Sequence, residues 1–398
     1  MKKKLPQELY NRGNMNENNH VMASMEIVTD GIDPEDSKRG QKRTMRHAFK
    51  ILISLLLFLS VIVLSILLVA LARGCKSISM LDIPKVPVPT FNSTISISND
   101  SSSSPGRFGV VGDLQRTSFF ECAIGREVND GETDEILSSI SGLGYGFVVT
   151  TGDMVYDGSD EGHWEYLDNL LSRAGILPGV GGDADGTKIL PVVGNHEYWG
   201  DDEKALENVR IRFPDALGSS TWYSRKFRSL GLIFLDGNHD VLSPSQWSAQ
   251  VRFFSDKIRE FDADDTVRGI IIFTHQPPYT NSLVVSGDEK VRAAFVPLFC
   301  ETAKSRAFIS AHAHGYERFK GCGNDKMFFV SAGGGGPRPK GGLRRGEDVE
   351  LVDEFVSGGG KERPFNWLTI DTSREDGIEV VVNALGNETL ETVFLEFD

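Results

Sequence analysis

Five polar clusters between residues 113 and 314 are built from side chains that hold metal ions: Asp113, Asp153, Asn195, His275 and the pair His312/His314. Each follows a short apolar run, so each is delivered at the C-terminal end of a strand, where open α/β sheets place their ligands. Carboxylates, an amide oxygen and imidazoles suit divalent or trivalent ions of intermediate hardness, and no thiolate cluster points to structural zinc. One such residue alone is ordinary as a cap, a turn residue or a buried histidine satisfied by backbone. With this many donors, two ions bridged by one carboxylate is the economical arrangement. Two ions can activate water and clamp a phosphoryl group for in-line displacement. The centre of the pattern is Pro191-Val192-Val193-Gly194-Asn195-His196-Glu197. There Asn195 offers a neutral oxygen, and His196 can give or take a proton near neutral pH.

These residues need a scaffold that gathers strand ends. Apolar runs at 108–111, 146–150, 189–193, 232–235, 269–273 and 308–310 read as strands, with helical patterns among them. The clearest helix starts at Ser243-Pro244, a cap followed by proline at the first helical position. It carries Trp247, Val251, Phe254, Ile258 and Phe261 along one core-facing stripe. Strands alternating with helices predict a layered α/β domain. A strand at 327–331 runs into Gly333-Gly334-Gly335-Gly336, which lacks the Lys-Ser/Thr of a P-loop and reads as a tight turn. Residues 367–397 read as three strands without helices, an antiparallel edge.

The formal net charge is −14 over 398 residues, but the first 50 carry ten Lys and Arg against seven Asp and Glu. About −17 therefore falls on the rest. An acidic main domain argues against nucleic acid as a partner, because a phosphate backbone needs clustered cations. A small phosphorylated substrate needs locally supplied positive charge, which metal ions provide.

Residues 1–47 are polar and lack apolar periodicity, the composition of a disordered tail. From 51 to 72 the chain is apolar apart from Ser54, Ser60 and Ser65, long enough to cross a hydrocarbon core of about 30 Å; the transmembrane helix is placed at 48–73. Its position and length favour an uncleaved anchor over a signal peptide. Lys38, Arg39, Lys42, Arg43, Arg46 and Lys50 precede the span, against Arg73, Lys76 and Lys85 after it. The positive-inside rule then puts the tail in the cytoplasm and the remainder in a lumen or outside the cell, a single-pass type II arrangement. Asn92, Asn99 and Asn387 open Asn-x-Ser/Thr triplets that agree with that side. Residues 74–106 are Ser- and Pro-rich and read as a stalk, and 107–398 as the catalytic domain. Cys300 and Cys322 are near enough in sequence to pair in an oxidising compartment. Cys75, at the membrane edge, is open to acylation or an intermolecular disulfide, and Cys122 is left over.

Gly112-Asp113, Gly152-Asp153-Met154-Val155-Tyr156, Gly194-Asn195-His196-Glu197, Thr274-His275-Gln276-Pro277-Pro278 and Ala311-His312-Ala313-His314 resemble the five ordered blocks of the calcineurin-like metallophosphoesterases. Within that superfamily the chain is most similar to purple acid phosphatases. Those enzymes carry tyrosine three residues after the second-block aspartate, as Tyr156 stands here, and continue the last block as Tyr316-Glu317-Arg318 does. The resemblance implies a two-sheet, four-layer α/β sandwich with a dinuclear metal centre. It puts Asp113, Tyr156 and His314 on one ion and Asn195, His275 and His312 on the other, with Asp153 bridging. It gives His196 the role of stabilising the transition state or protonating the leaving group. The tyrosine side favours ferric iron, with iron, zinc or manganese opposite; manganese or magnesium is the alternative if Tyr156 only packs. A neutral imidazole beside two cations becomes a better acid, which suits donation to a departing alkoxide.

Some positions depart from the pattern. Gln115 stands where the wider superfamily has a histidine ligand and purple acid phosphatases a glycine, Ala311 replaces a glycine, and Val284 and Val285 follow His275 where plant-type enzymes use a further histidine. His239 in Gly237-Asn238-His239-Asp240 mimics the Asn-His block, and His163 beside Trp164 reads as the start of a surface helix. The expected function is hydrolysis of phosphate monoesters at acidic pH by attack of a metal-bound hydroxide, with His196 assisting. A phosphodiesterase or nucleotide pyrophosphatase with the same ions is the alternative. A catalytically silent scaffold is disfavoured because none of the seven ligands is missing. The expected location is the secretory lumen, a vacuole or lysosome, or the cell surface.

Overall fold

The computed structural model describes residues 34–85, 106–177, 187–324, 326–338, 352–356 and 363–397. The chain divides into two compact units, Met1–Leu64 and Ser65–Asp398. A long helix spans Pro34–Ala72. It is therefore helical over 34–47, which the composition assigns to the tail; after Pro34 that stretch holds no proline and one glycine, Gly40, so nothing interrupts propagation. Residues 1–33 of the expected tail lie outside the described residues. From Lys42 to Ala72 the helix is long and apolar enough to cross a membrane. Leu55, Phe58, Val61 and Leu64 are exposed on it, an arrangement that suits hydrocarbon better than water.

The helix ends in a hydrogen-bonded turn: Arg73 N donates to Val69 O, Gly74 N to Leu71 O and Cys75 N to Ala70 O. Cys75 then forms a disulfide with Cys122, Cα to Cα 5.8 Å. This corrects the reading of Cys122 as left over. A separation of 47 residues hides the pairing in sequence, and only the return of the chain to the helix end creates it. Cys300 pairs with Cys322 as expected, Cα to Cα 5.1 Å. Arg116 donates to Lys76 O at 3.0 Å and Asn169 to Pro84 O at 2.5 Å. The first part of the segment read as a stalk is thus fastened to the domain; residues 86–105 lie outside the described residues, with Asn92 and Asn99. Asn387 is exposed in the last hairpin turn.

The first sheet comprises β1 (Arg107–Val111), β2 (Phe147–Thr150), β3 (Ile176–Leu177), β4 (Thr187–Pro191), β12 (Asn366–Asp371), β13 (Gly377–Ala384) and β14 (Glu388–Glu396). The second comprises β5 (Tyr223–Phe227), β6 (Leu230–Phe234), β7 (Gly269–Phe273), β8 (Ser305–Ser310), β9 (Tyr316–Gly321), β10 (Lys326–Ser331) and β11 (Val352–Val356). Their orders are β14-β13-β12-β1-β2-β4-β3 and β11-β9-β10-β8-β7-β6-β5. β1, β2 and β4 run parallel, as do β6, β7, β8 and β10, so their C-terminal ends share an edge in each sheet. The three C-terminal strands are antiparallel, as the sequence predicts.

The sheets face each other across one core. Phe108, Phe147 and Leu368 of the first meet Phe227, Phe234, Phe273 and Ile309 of the second. Phe108 stacks on Phe147 at 4.6 Å, with Phe227 edge-on to both, the offset and T-shaped geometries that aromatic quadrupoles favour. A second core lies outside the second sheet, where alternate residues Ile233, Ile270 and Ile272 pack on Phe254, Ile258, Phe295 and Phe299. Those side chains come from helices Pro244–Ala263 and Glu289–Glu301. The first of these begins with the expected cap: Ser243 Oγ accepts from Gln246 N while Gln246 Oε1 accepts from Ser243 N. Helices Asp130–Gly142 and Glu161–Arg173 cover the outer face of the first sheet through Ile136, Ile140, Trp164 and Leu167. The result is the four-layer sandwich. Burial on both faces explains why the central strands are apolar throughout.

Candidate metal centre

Beyond the parallel strands the backbone turns sharply. Asp113 (φ 59°), Asp153 (52°), His312 (69°) and His314 (49°) all occupy the left-handed region, at a cost of about 1–2 kcal/mol per non-glycine residue. Surrounding hydrogen bonds hold these bends: Asp113 N donates to Gly152 O at 3.0 Å, Gln115 N to Asp153 O at 2.9 Å and Gly336 N to Asp113 O at 2.7 Å. Two glycines are there for close approach. A Cβ on Gly194 would overlap Asp153 Oδ1, and one on Gly336 would lie 2.8 Å from the Gln115 side chain and 2.9 Å from His314 Cε1. The stretch 333–336, read as a tight turn, therefore also lines the back of the site.

Two groups of donors form, each with ligand atoms within 4.8 Å of one another: Asp153, His275 and His312, and Asp113, Asp153 and His314. Asp153 belongs to both. Its Oδ2 is 3.1 Å from His275 Nε2, and Asn195 Oδ1 is 3.1 Å from the same nitrogen. His312 Nδ1 is 3.0 Å from it as well. On the other side His314 Nε2 is 3.2 Å from Asp113 Oδ1. That oxygen is buried and accepts no hydrogen bond, which fits a position facing a cation. The remaining ring nitrogens fix the tautomers. His275 Nδ1 donates to Thr151 O at 2.8 Å and His314 Nδ1 to Pro337 O at 2.9 Å, so each turns an Nε2 lone pair inward.

Burial alone would raise the Asp153 carboxyl, but the imidazoles of His275, His196 and His312 outweigh it and hold it well below the usual carboxylate range. Burial would likewise lower His275; the Asp153 carboxylate reverses this and lifts it to about 9. Burial and the neighbouring His275 push His312 down to about 3. His314 is raised, the Asp113 carboxylate overcoming burial. Such mutual dependence between carboxylates and imidazoles is what a cation would replace.

Gln115, buried, enters the second group. A glutamine amide is isosteric end for end, and here the hydrogen bonds are satisfied with Nε2 donating to the carbonyls of Asp113 (3.3 Å) and Asp153 (3.0 Å). Oε1 then lies 3.2 Å from His314 Nε2, and that end of the amide is 3.4 Å from Asp153 Oδ2. Tyr156 stands beside the site, its carbonyl 2.6 Å from His196 Nδ1. Its ring packs against His163 (5.5 Å), His196 (5.4 Å) and Trp199 (5.4 Å). Among the described residues no hydrogen bond joins its hydroxyl to Asp113, Asp153 or His314.

His196 lines the cavity with Asp153, Asn195, His312 and His314. Its Nδ1 donates to Tyr156 O at 2.6 Å, leaving Nε2 toward Asp153 Oδ2 at 3.7 Å. Trp199 stacks on the imidazole, centroids 3.7 Å apart at 29°. Beneath, Glu197 accepts from Asp153 N (2.9 Å), Met154 N (2.7 Å) and Gly194 N (2.7 Å), tying two of the site's turns together. Burial and then Asp153 raise its pKa to about 7. The rest of the cavity wall includes Glu121, Arg126, Val284 and Val285.

Sequence reasoning named every member of the two groups, and underrated Glu197, Trp199 and Arg126. Glu197 was visible as part of the Gly-Asn-His-Glu block; Trp199 and Arg126 carry no motif. His239 bonds to Asp288 (3.1 Å) and Asp240 (2.8 Å) and does not line the cavity. His163 sits in the first turn of helix Glu161–Arg173. Tyr316 and Arg318 bind Glu391 at 2.5 and 2.9 Å, a structural clamp between the sheets.

The sequence model of the calcineurin-like phosphoesterase family matches residues 106–316. No curated protein matches the chain in sequence. Among solved structures, purple acid phosphatase PPD1 from yellow lupin (Lupinus luteus) seeds superposes with TM-score 0.54 at 15% identity; the match covers 74% of this chain and 55% of the lupin chain. GAP50, the anchor in the inner membrane complex of Plasmodium, gives 0.50 at 14% identity, covering 73% of this chain and 89% of that one. A dimetal phosphatase from Danio rerio gives 0.46 at 14% identity, covering 73% and 99%. At these identities the first two superpositions show a shared fold and no more.

Proposed function

The chain belongs to the calcineurin-like phosphoesterase family, and on that premise we propose that it is a membrane-anchored phosphatase acting on phosphate monoesters through two metal ions. The observation that carries this is Asp153, one carboxylate shared by two complete donor groups. We assign Asn195, His275 and His312 to one ion, Asp113, His314 and Gln115 to the other, and Asp153 to both. With Gln115 in the place given to Tyr156, every donor is a carboxylate, amide oxygen or imidazole, a set that suits manganese, zinc or magnesium. The ferric expectation rested on Tyr156. When bound, the ions supply the positive charge that the acidic domain lacks and a means of activating water.

The chain's own residues do the rest. Asp153 and Asp113 are set by strained turns, so little reorganisation is needed on loading. His196, fixed by the Tyr156 carbonyl and by Trp199, presents Nε2 to the cavity. From there it can hold a proton for the departing alkoxide. The resemblance of the five ordered blocks to purple acid phosphatases supports the monoester reading. Two disulfides support placement in an oxidising lumen or outside the cell, with the tail cytoplasmic. The test is to replace Asp153 by alanine: bound metal and hydrolysis of p-nitrophenyl phosphate should vanish together. Undiminished hydrolysis by that variant, or faster hydrolysis of a bis-ester by the parent protein, would overturn the assignment.

A further inference from the structure

We propose that the substrate is a phosphorylated lipid of the bilayer that the helix crosses, reached through a cavity whose rim enters that bilayer. This rests on the membrane-anchored phosphatase reading above. The first observation is covalent. The apolar run of the helix ends at Ala72, followed by Arg73, a cation of the kind that marks headgroup depth. Cys75 is hydrogen-bonded back to Ala70 and joined to Cys122. Cys122 is the next residue after Glu121, which lines the cavity. The Arg73 guanidinium donates to Arg126 O at 3.1 Å, and Arg126 also lines the cavity. One wall of the metal cleft is thus fastened to the stretch Ala70–Cys75 in which the helix ends.

The second observation is the character of that wall. Phe120 (60% exposed), Ile124 (58%) and Val128 lie on the segment carrying Glu121 and Arg126. Leu283 (53%) and Val284 (51%) extend the apolar rim from the segment after β7, and Trp199 adds an exposed ring. Large apolar side chains clustered around the mouth of a polar site are a poor arrangement in water and a favourable one at the acyl–headgroup boundary. A lipid phosphate lifted only as far as the headgroup layer would meet the donors of Asp113, Asp153 and His314, beside the Arg126 guanidinium, which Glu121 pairs at 3.1 Å. In hydrolysis the oxygen of water bonds to phosphorus, the bond from phosphorus to the lipid oxygen breaks, and that oxygen takes a proton to leave as the alcohol.

The experiment uses the full chain in phospholipid nanodiscs, with phosphatidic acid as the embedded monoester and p-nitrophenyl phosphate as the soluble one. The triple variant Phe120→Ser, Ile124→Ser, Leu283→Ser alters only exposed rim positions. It is expected to lose at least tenfold in turnover of phosphatidic acid and to keep its rate on the soluble ester within about twofold. Equal loss on both substrates, or none on either, overturns the proposal, as does a parent protein that hydrolyses the soluble ester and leaves the lipid intact. If neither ester is hydrolysed, the phosphatase reading itself falls. A second measurement needs no turnover. Measured against the parent protein, whose own Trp199 supplies a baseline, Phe120→Trp should add quenching by brominated acyl chains and Phe394→Trp should add none. Through the pairs Arg107↔Asp371, Asp371↔Glu379 and Glu379↔Phe394, Phe394 is level with the start of β1, the opposite end of the sheet from Asp113. Equal added quenching at both positions, or none added at residue 120, overturns the placement.

Discussion

Gln115 meets His314 at 3.2 Å, amide against imidazole, with both hydrogens of the amide nitrogen given to main-chain carbonyls. Its oxygen accepts from His314 Nε2 and so already faces the second group. Replacing Gln115 by leucine should weaken one of the two metal ions by more than about tenfold, judged against the losses seen when metal-site partners are removed. Tyr156→Phe should leave stoichiometry, affinity and visible absorption unchanged. Titration calorimetry and elemental analysis of both variants decide it; a Tyr156→Phe protein that loses a metal returns the tyrosine to the site.

Glu197 draws the backbone of Asp153, Met154 and Gly194 into one frame. Glu197→Gln puts an amide N–H against those donors, at a cost of about 1–3 kcal/mol of stability. Metal affinity should fall by about 10–100-fold. Thermal unfolding with and without added manganese would show both losses; an unchanged midpoint would mean that the carboxylate is not what holds the turns.

The His275–Asp153 pair sets a pH dependence. With its pKa lifted to about 9, His275 stays protonated in the metal-free protein at neutral pH, and a cation must displace that proton. Apparent metal affinity should rise up to about tenfold per pH unit below 9 from this group. For the metal-free chain the sign is opposite: the pair's stabilisation is full below the unfolded value of about 6.5 and is lost as pH rises through 9. Binding isotherms at pH 6, 7 and 8 check the first, and unfolding midpoints across the same series check the second.

His196→Ala should lower the rate by about 10²–10⁴-fold with both metals retained, since it removes a proton carrier and not an assigned ligand. Trp199→Ala removes only the face on which the imidazole rests and should cost less. Steady-state rates beside metal content separate the roles; loss of metal in His196→Ala would make that residue structural.

The Cys75–Cys122 bridge closes a 47-residue separation, and the chain-entropy account gives such a loop about 4 kcal/mol. The double variant Cys75→Ser, Cys122→Ser should unfold earlier in detergent while keeping its metals. A midpoint indistinguishable from the parent would mean that the neighbouring hydrogen bonds alone hold the segment.

The layered α/β domain and the donor residues were legible because these rest on local signals, whereas the two-sheet sandwich and the division of donors between two ions came from the resemblance of the five blocks. An apolar run ending in Gly-Asp or Gly-Asn-His names both a strand and its cargo. β5 and β9 were overlooked because they are half polar: Ser224 and Arg225 on β5 and Glu317 and Arg318 on β9 break the apolar run. Gln115 was seen only as a departure, since its use depends on two carbonyls reached through the fold. The partner of Cys122 was unreadable for the same reason.

On the proposed anchoring, the same cystine governs how this domain could leave a membrane. A protease that cuts anywhere between Lys76 and Glu121 separates the sequence into two pieces but not the molecule, because the bridge from Cys75 still carries the load. Shedding then takes two chemical events, hydrolysis of a peptide bond and reduction of a disulfide, and a compartment that supplies only one of them keeps the enzyme at its surface.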